Sequence, residues 1–214
     1  MKHHFLKKLA AVLAFPLLLC CLAAPAASAC WPWERERLPD SVLYQGTLQE
    51  IFRDEEGRIT SLLLTSEEAG RYVMRLSETT VWLEYGDKTT FDPESLVPGE
   101  TLTVFHSPVV ALSLPAQSSA YAILRHAPQD VVSAQYLKVD SIRWTWGPSG
   151  TRLVIANNGN TQFLLDADTT FAPYRTKNIV TAQDLHKGSR IVVWYSDADT
   201  EETRRADHIL LLPE

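Results

Sequence analysis

The sequence predicts an all-β chain of two tandem small β-barrels, OB- or SH3-like, arising from an internal duplication and each with one short helical turn. Three observations carry this. Short β-branched and aromatic segments recur along most of the chain. Clusters of Gly, Asp, Asn and Pro separate them. And Leu76–Ser107 aligns without a gap on Leu165–Ser196, every pair lying 89 positions apart. A period longer than the usual solenoid repeat points to duplicated domains and not to a stacked array.

In the first copy the predicted strands are Val42–Phe52, Ile59–Thr65, Tyr72–Leu76, Leu102–Phe105 and Tyr121–Leu124. In the second they are Val131–Trp146, Leu153–Ala156, Gln162–Leu165, Arg190–Tyr195 and His208–Leu212. Turns fall at Asp54–Gly57, Gly147–Gly150 and Asn157–Asn160. Asp92-Pro93-Glu94-Ser95-Leu96 offers an acidic N-cap followed by Pro at the first helical position. Its counterpart, Thr181-Ala182-Gln183-Asp184-Leu185, has a Thr cap with an acid three residues on, close to a capping box. Each is expected to drop its Leu inward and stop at a glycine, Gly99 or Gly188. Closing each small sheet into a barrel disposes of its edge strands.

The domain reading follows: residues 1–29 a signal peptide, 30–40 an extended tether, 41–127 the first barrel and 128–214 the second. Lys2, Lys7 and Lys8 precede an apolar run, Leu9–Leu22, and a small-residue stretch ending in Ala27-Ser28-Ala29. That order is a secretory signal, and the run is shorter than the roughly 20 residues of a membrane-spanning helix. The remaining chain carries 17 basic and 26 acidic residues. Of three cysteines only Cys30 survives cleavage, at the new N-terminus, so no internal disulfide is expected. Ala27-Ser28-Ala29-Cys30 is close to a lipobox, with Ala27 in place of its usual Leu, and Cys30 is the candidate lipidation site; a plain Ala-x-Ala cleavage product with a free Cys30 is the alternative. Trp31 to Pro39 reads as a stiff, charged tether.

The chain holds 214 residues, 45% hydrophobic and 21% charged, with formal net charge −6. A core is affordable at that composition. The negative balance predicts that nucleic acid is not a partner, because phosphates call for a basic surface. The expected partner is a component of the cell envelope or a surface protein, with the membrane reached only through the N-terminal lipid.

Val104-Phe105-His106-Ser107-Pro108 and Ser113-Leu114-Pro115-Ala116-Gln117-Ser118-Ser119-Ala120-Tyr121-Ala122-Ile123 resemble a secreted β-module of Gram-positive cell-surface proteins. That module often accompanies a copper-amine-oxidase-like N-terminal domain. The resemblance covers mainly residues 41–125; the second copy has Asp197-Ala198-Asp199-Thr200-Glu201-Glu202 where the first has Ser-Leu-Pro-x-Gln-Ser. It implies a cell-surface setting and no assigned activity.

Catalytic residues are not expected. His106 and Ser107 are neighbours on a strand and point to opposite faces. There is no Gly-x-Ser-x-Gly elbow, and the histidines lack metal-ligand spacing. No cofactor is expected. Asp166, Asp168, Asp197 and Asp199 form two Asp-x-Asp pairs whose oxygens could take calcium, although both lack the Gly and distal Glu of an EF-hand; solvated turn carboxylates are the favoured reading. Trp144 and Trp146 share one strand face and suit either glycan stacking or the second barrel's core, with core packing favoured. The apolar loop around Leu112 and Leu114 is expected to fold over the first barrel's open end, since two leucines in water are costly. The resulting function is an exported, envelope-anchored, non-enzymatic binding or scaffold protein. The alternatives are a cell-wall glycan or peptidoglycan-binding module, or a calcium-dependent accessory to a surface enzyme.

Overall fold

The computed structural model describes residues 38–129, 132–145, 151–176, 178–196 and 204–213. The signal-peptide segment, Cys30, most of the tether, Trp146, Asp197 and Asp199 lie outside the described residues. Among the described residues no helix is long and apolar enough to cross a membrane.

Among the described residues, twelve strands form two sheets of the same topology. The first has β1 (Val42–Arg53), β2 (Ile59–Ser66), β3 (Gly70–Arg75), β4 (Val81–Glu84), β5 (Thr101–His106) and β6 (Ala116–Arg125). The second has β7 (Ala134–Trp144), β8 (Arg152–Ala156), β9 (Thr161–Leu165), β10 (Thr170–Pro173), β11 (Arg190–Tyr195) and β12 (Arg204–Leu211). In the first sheet, β3-β2-β1-β5-β6 closes on itself through a parallel pairing of β3 with β6. In the second, β9-β8-β7-β11-β12 closes likewise through parallel β9 and β12. These are two closed five-stranded barrels of OB-like type. Strands β4 and β10 are appended in parallel to β6 and β12.

The duplication is visible bond by bond. At Gly99, with φ of 98°, the chain turns so that its N–H reaches the Leu48 carbonyl at 2.7 Å, while the Leu48 N–H reaches Glu100 at 2.8 Å. At Gly188, with φ of 94°, the same pair recurs, to Val139 at 2.8 Å and from Val139 to Ser189 at 2.9 Å. Both clamps grip the first strand of their barrel where its register shifts, at Leu48/Glu50 and Val139/Ser141. The bulge bends one long strand so that it serves two neighbours. Leu96 and Leu185 are both buried beside these turns, as expected.

Thr80 and Thr169 form a second matched pair. Each hydroxyl donates to a barrel carbonyl, Ala120 at 3.0 Å and Ala206 at 2.9 Å. Each accepts the N–H three residues back, from Ser77 at 2.9 Å and from Asp166 at 3.1 Å.

Among the described residues each barrel carries one 3-10 turn, but the two do not sit at equivalent positions. In the first it is Pro93–Ser95, where the Asp92 carboxylate accepts the Glu94 N–H. In the second it is Asn157–Gly159, between β8 and β9. Thr181–Asp184 is instead an isolated turn, closed by the Asp184 carboxylate on the Thr181 N–H at 2.8 Å. That backbone N–H holds the Asp184 carboxyl below its ordinary value.

Besides its own interior, each barrel contributes to a shared core. Val81, Leu83, Phe105 and Leu124 of the first pack with Tyr136, Val192, Trp194 and Leu210 of the second, all buried. This explains why five successive residues are buried in both β5 and β11. One face of each strand looks into its barrel and the other into the neighbouring barrel. Tyr121 of β6 stacks on Tyr136 of β7 at 5.3 Å, and Lys88 pairs with Asp207 at 2.7 Å. The end of the tether joins the contact. Asn158 Nδ2 donates to the Leu38 carbonyl at 2.8 Å and to Asp40 Oδ1 at 3.0 Å.

Candidate functional site

The tip of the β7–β8 hairpin presents the side chain best placed for recognition. Trp144 and Arg152 are direct partners in the antiparallel register. The Arg152 guanidinium lies 4.6 Å from the Trp144 ring centroid. A hydrogen bond of 2.7 Å from Arg152 Nη1 to the Ala182 carbonyl fixes that guanidinium. Trp144 is 70% exposed, because β7 has run past the barrel interior by this point. The core-packing expectation for Trp144 is therefore overturned. One ring face rests on a pinned cation and the indole projects into solvent, an arrangement suited to stacking on a flat or apolar ligand face.

The acidic candidates are held locally. Asp166 Oδ1 accepts the N–H groups of Asp168, at 3.0 Å, and Thr169, at 3.2 Å. Its Oδ2 meets Arg205 at 3.2 Å. Both oxygens thus serve the β9–β10 turn and a salt bridge. No group of three His, Cys, Asp or Glu suited to a metal ion occurs among the described residues.

His106 meets a serine hydroxyl, but not that of its neighbour Ser107. Its Nδ1 lies 2.8 Å from the Ser107 carbonyl and 3.0 Å from Ser118 Oγ on β6. A carbonyl only accepts, so Nδ1 carries the ring proton. Ser118 Oγ itself donates to the same carbonyl at 2.8 Å, and Ser118 is buried. Burial keeps the His106 pKa below its ordinary value. Tyr44, alongside, donates to the Gly70 carbonyl at 2.6 Å, and burial pushes its phenol up to about 12. His106 and Ser118 both bond the Ser107 carbonyl and so hold the base of the β5–β6 loop.

That loop does not plug the barrel. Leu112 and Leu114 are fully exposed and Val109 is 72% exposed. The sequence reading also gave no sign of a cleft of about 460 Å³ in the first barrel, with Leu76 and Trp82 among its walls and Asp54, Arg58, Glu78 and Glu94 at its rim. Its walls come from β2, β4 and three separate connections, which no local motif links.

No protein-family model matches the chain, and no curated protein matches it. Among solved structures, "drosophila Unr CSD456" is similar at 11% identity and a TM-score of 0.23, over 82% of this chain. This chain spans 63% of that structure's length. The expectation that nucleic acid is not a partner does not stand, because it rested on the charge of the whole chain alone. A whole-chain charge sum does not describe any one local surface, so −6 excludes no such partner. At this TM-score the likeness carries no argument about what this chain binds.

Proposed function

We propose that the chain is an exported, envelope-anchored, non-enzymatic binding or scaffold protein. The observation that carries this reading is the pinned, outward-facing Trp144–Arg152 pair on a two-barrel body with a shared core. A platform of this kind recognises a ligand without reacting with it. The histidine–hydroxyl contacts are consistent with that: His106 with Ser118 and His208 with Thr170 take part in hydrogen bonds that tie neighbouring strands. Export is supported by the lysine-led apolar segment and its Ala-x-Ala end, and anchoring by Cys30 immediately after it. The resemblance of residues 41–125 to a Gram-positive surface module agrees with that setting.

Within this reading the ligand class favoured by Trp144 is a cell-wall glycan, whose apolar sugar face stacks on an indole. Trp144→Ala tests it. Retention on insoluble peptidoglycan is expected to fall at least tenfold, a loss of about 1.4 kcal/mol, while the melting temperature is unchanged. Retention equal to that of the parent chain excludes Trp144 as the platform. The mass of the mature N-terminus tests anchoring: a lipid-modified Cys30 is expected.

A further inference from the structure

The β5–β6 loop carries an observation that neither the barrels nor the Trp144 platform use. From Ser107 to Leu124 the sequence contains no Asp, Glu, Lys or Arg. Within that run Val109, Leu112 and Leu114 stand exposed, the two leucines completely. The loop is not loose chain. Ala111 exchanges backbone hydrogen bonds with Gln117, at 2.8 and 3.3 Å, Ser113 Oγ donates to the Pro115 carbonyl at 2.7 Å, and Ser107 Oγ accepts the Val109 N–H at 3.1 Å. A held loop therefore keeps its leucines in water while an apolar barrel lies beneath it.

The pairing of β1 with β5 says what lies nearby. Val42 is opposite His106, so the chain enters the first barrel beside the point where this loop leaves it. Leu38, just upstream, is itself 67% exposed. Leu38 lies eight positions after Cys30 in sequence, a reach of at most about 28 Å. We propose that the β5–β6 loop is a membrane-contact loop, with Leu112 and Leu114 entering the headgroup boundary of the bilayer to which the N-terminus is anchored. This rests on the envelope-anchored reading above. The lipid at Cys30 holds the N-terminus at the bilayer, and the loop adds a second, apolar point of contact on the first barrel. With 17 basic and 26 acidic residues left after cleavage and an uncharged loop, contact is by apolar burial, so it does not require anionic lipid.

The test is hydrogen exchange on the full chain, as exported by its host, with and without phosphatidylcholine vesicles. Amides of residues 107–115 are expected to exchange about tenfold more slowly on vesicles, and those of the β1–β2 turn at 54–58 to be unchanged. Leu112→Asp with Leu114→Asp is expected to abolish that slowing without changing the melting temperature, since both side chains are outside every core. A chain that sediments with vesicles while its loop exchanges at the free rate overturns the proposal and leaves anchoring intact. A chain that does not sediment overturns both. Slowing that appears without vesicles and vanishes on dilution identifies a second copy as the occupant and overturns the proposal.

Discussion

Tyr85 and Tyr174 stand 89 positions apart, at equivalent places in the two copies, and each reaches across to the other barrel. The Tyr174 hydroxyl accepts the Trp82 N–H at 3.2 Å. The Tyr85 hydroxyl accepts the Ser133 N–H at 3.2 Å and pairs with Ser133 Oγ at 2.6 Å. Duplicated residues have thus become reciprocal halves of one interface. Tyr85→Phe and Tyr174→Phe are each expected to cost about 1–2 kcal/mol by leaving a backbone N–H without its acceptor, as measured by urea denaturation.

Because the core runs through both barrels, they are expected to unfold together. Calorimetry should show a single transition, with the calorimetric enthalpy matching the van't Hoff value. Trp194→Ala, at the centre of the shared core, should lower stability by about 3–5 kcal/mol. Two separable transitions in the parent chain would contradict this.

Thr80→Val and Thr169→Val are isosteric and remove the same two hydrogen bonds in the two copies. Similar losses are expected at both positions, about 1–3 kcal/mol each. A loss at one position only would mean that the copies no longer use the hydroxyl alike.

Acid should weaken the fold. His208 Nδ1 is 2.7 Å from Thr170 Oγ1, whose own proton goes to the Asp207 carbonyl, so Nδ1 donates. Protonation must then occur at Nε2, which is buried beside Trp194 with no partner among the described residues. Burial, and then the Lys88 charge, hold the His208 pKa below 6.5, against the opposing pull of Asp207. As pH falls through 6.5 the unfolded chain takes up protons that the native chain refuses. Stability is lost over that interval and levels off once pH passes the depressed native value. His106, lowered by burial, adds to the loss. The melting temperature is expected to fall between pH 7.5 and 5, with a shallower slope in His106→Gln/His208→Gln.

Much of the fold could be read from residue patterns. Strands β5 and β11 are dense in β-branched and aromatic residues, and the glycine turns at Gly99 and Gly188 repeat in one register. Strands β4 and β10 were not legible: four residues each, flanked by turn residues, they are strands because β6 and β12 lend them a parallel edge. The shared core was partly written in the chain, since Ile191-Val192-Val193-Trp194-Tyr195 is apolar without alternation, the pattern of a strand covered on both faces. What covers the second face is a tertiary fact. The same limit applies to the candidate site. Composition favours a buried Trp144 and a buried Leu112, and only the placement of β7 and of the β5–β6 loop shows both side chains in solvent.

The grip of Asn158 on Leu38 and Asp40 alters how the molecule bears load. Were the first barrel alone to receive the N-terminal segment, a pull from that end would unzip β1 from β5 beginning at Val42. Instead the second barrel holds the segment ahead of β1, so tension is divided between the barrels before any ladder bond is stretched.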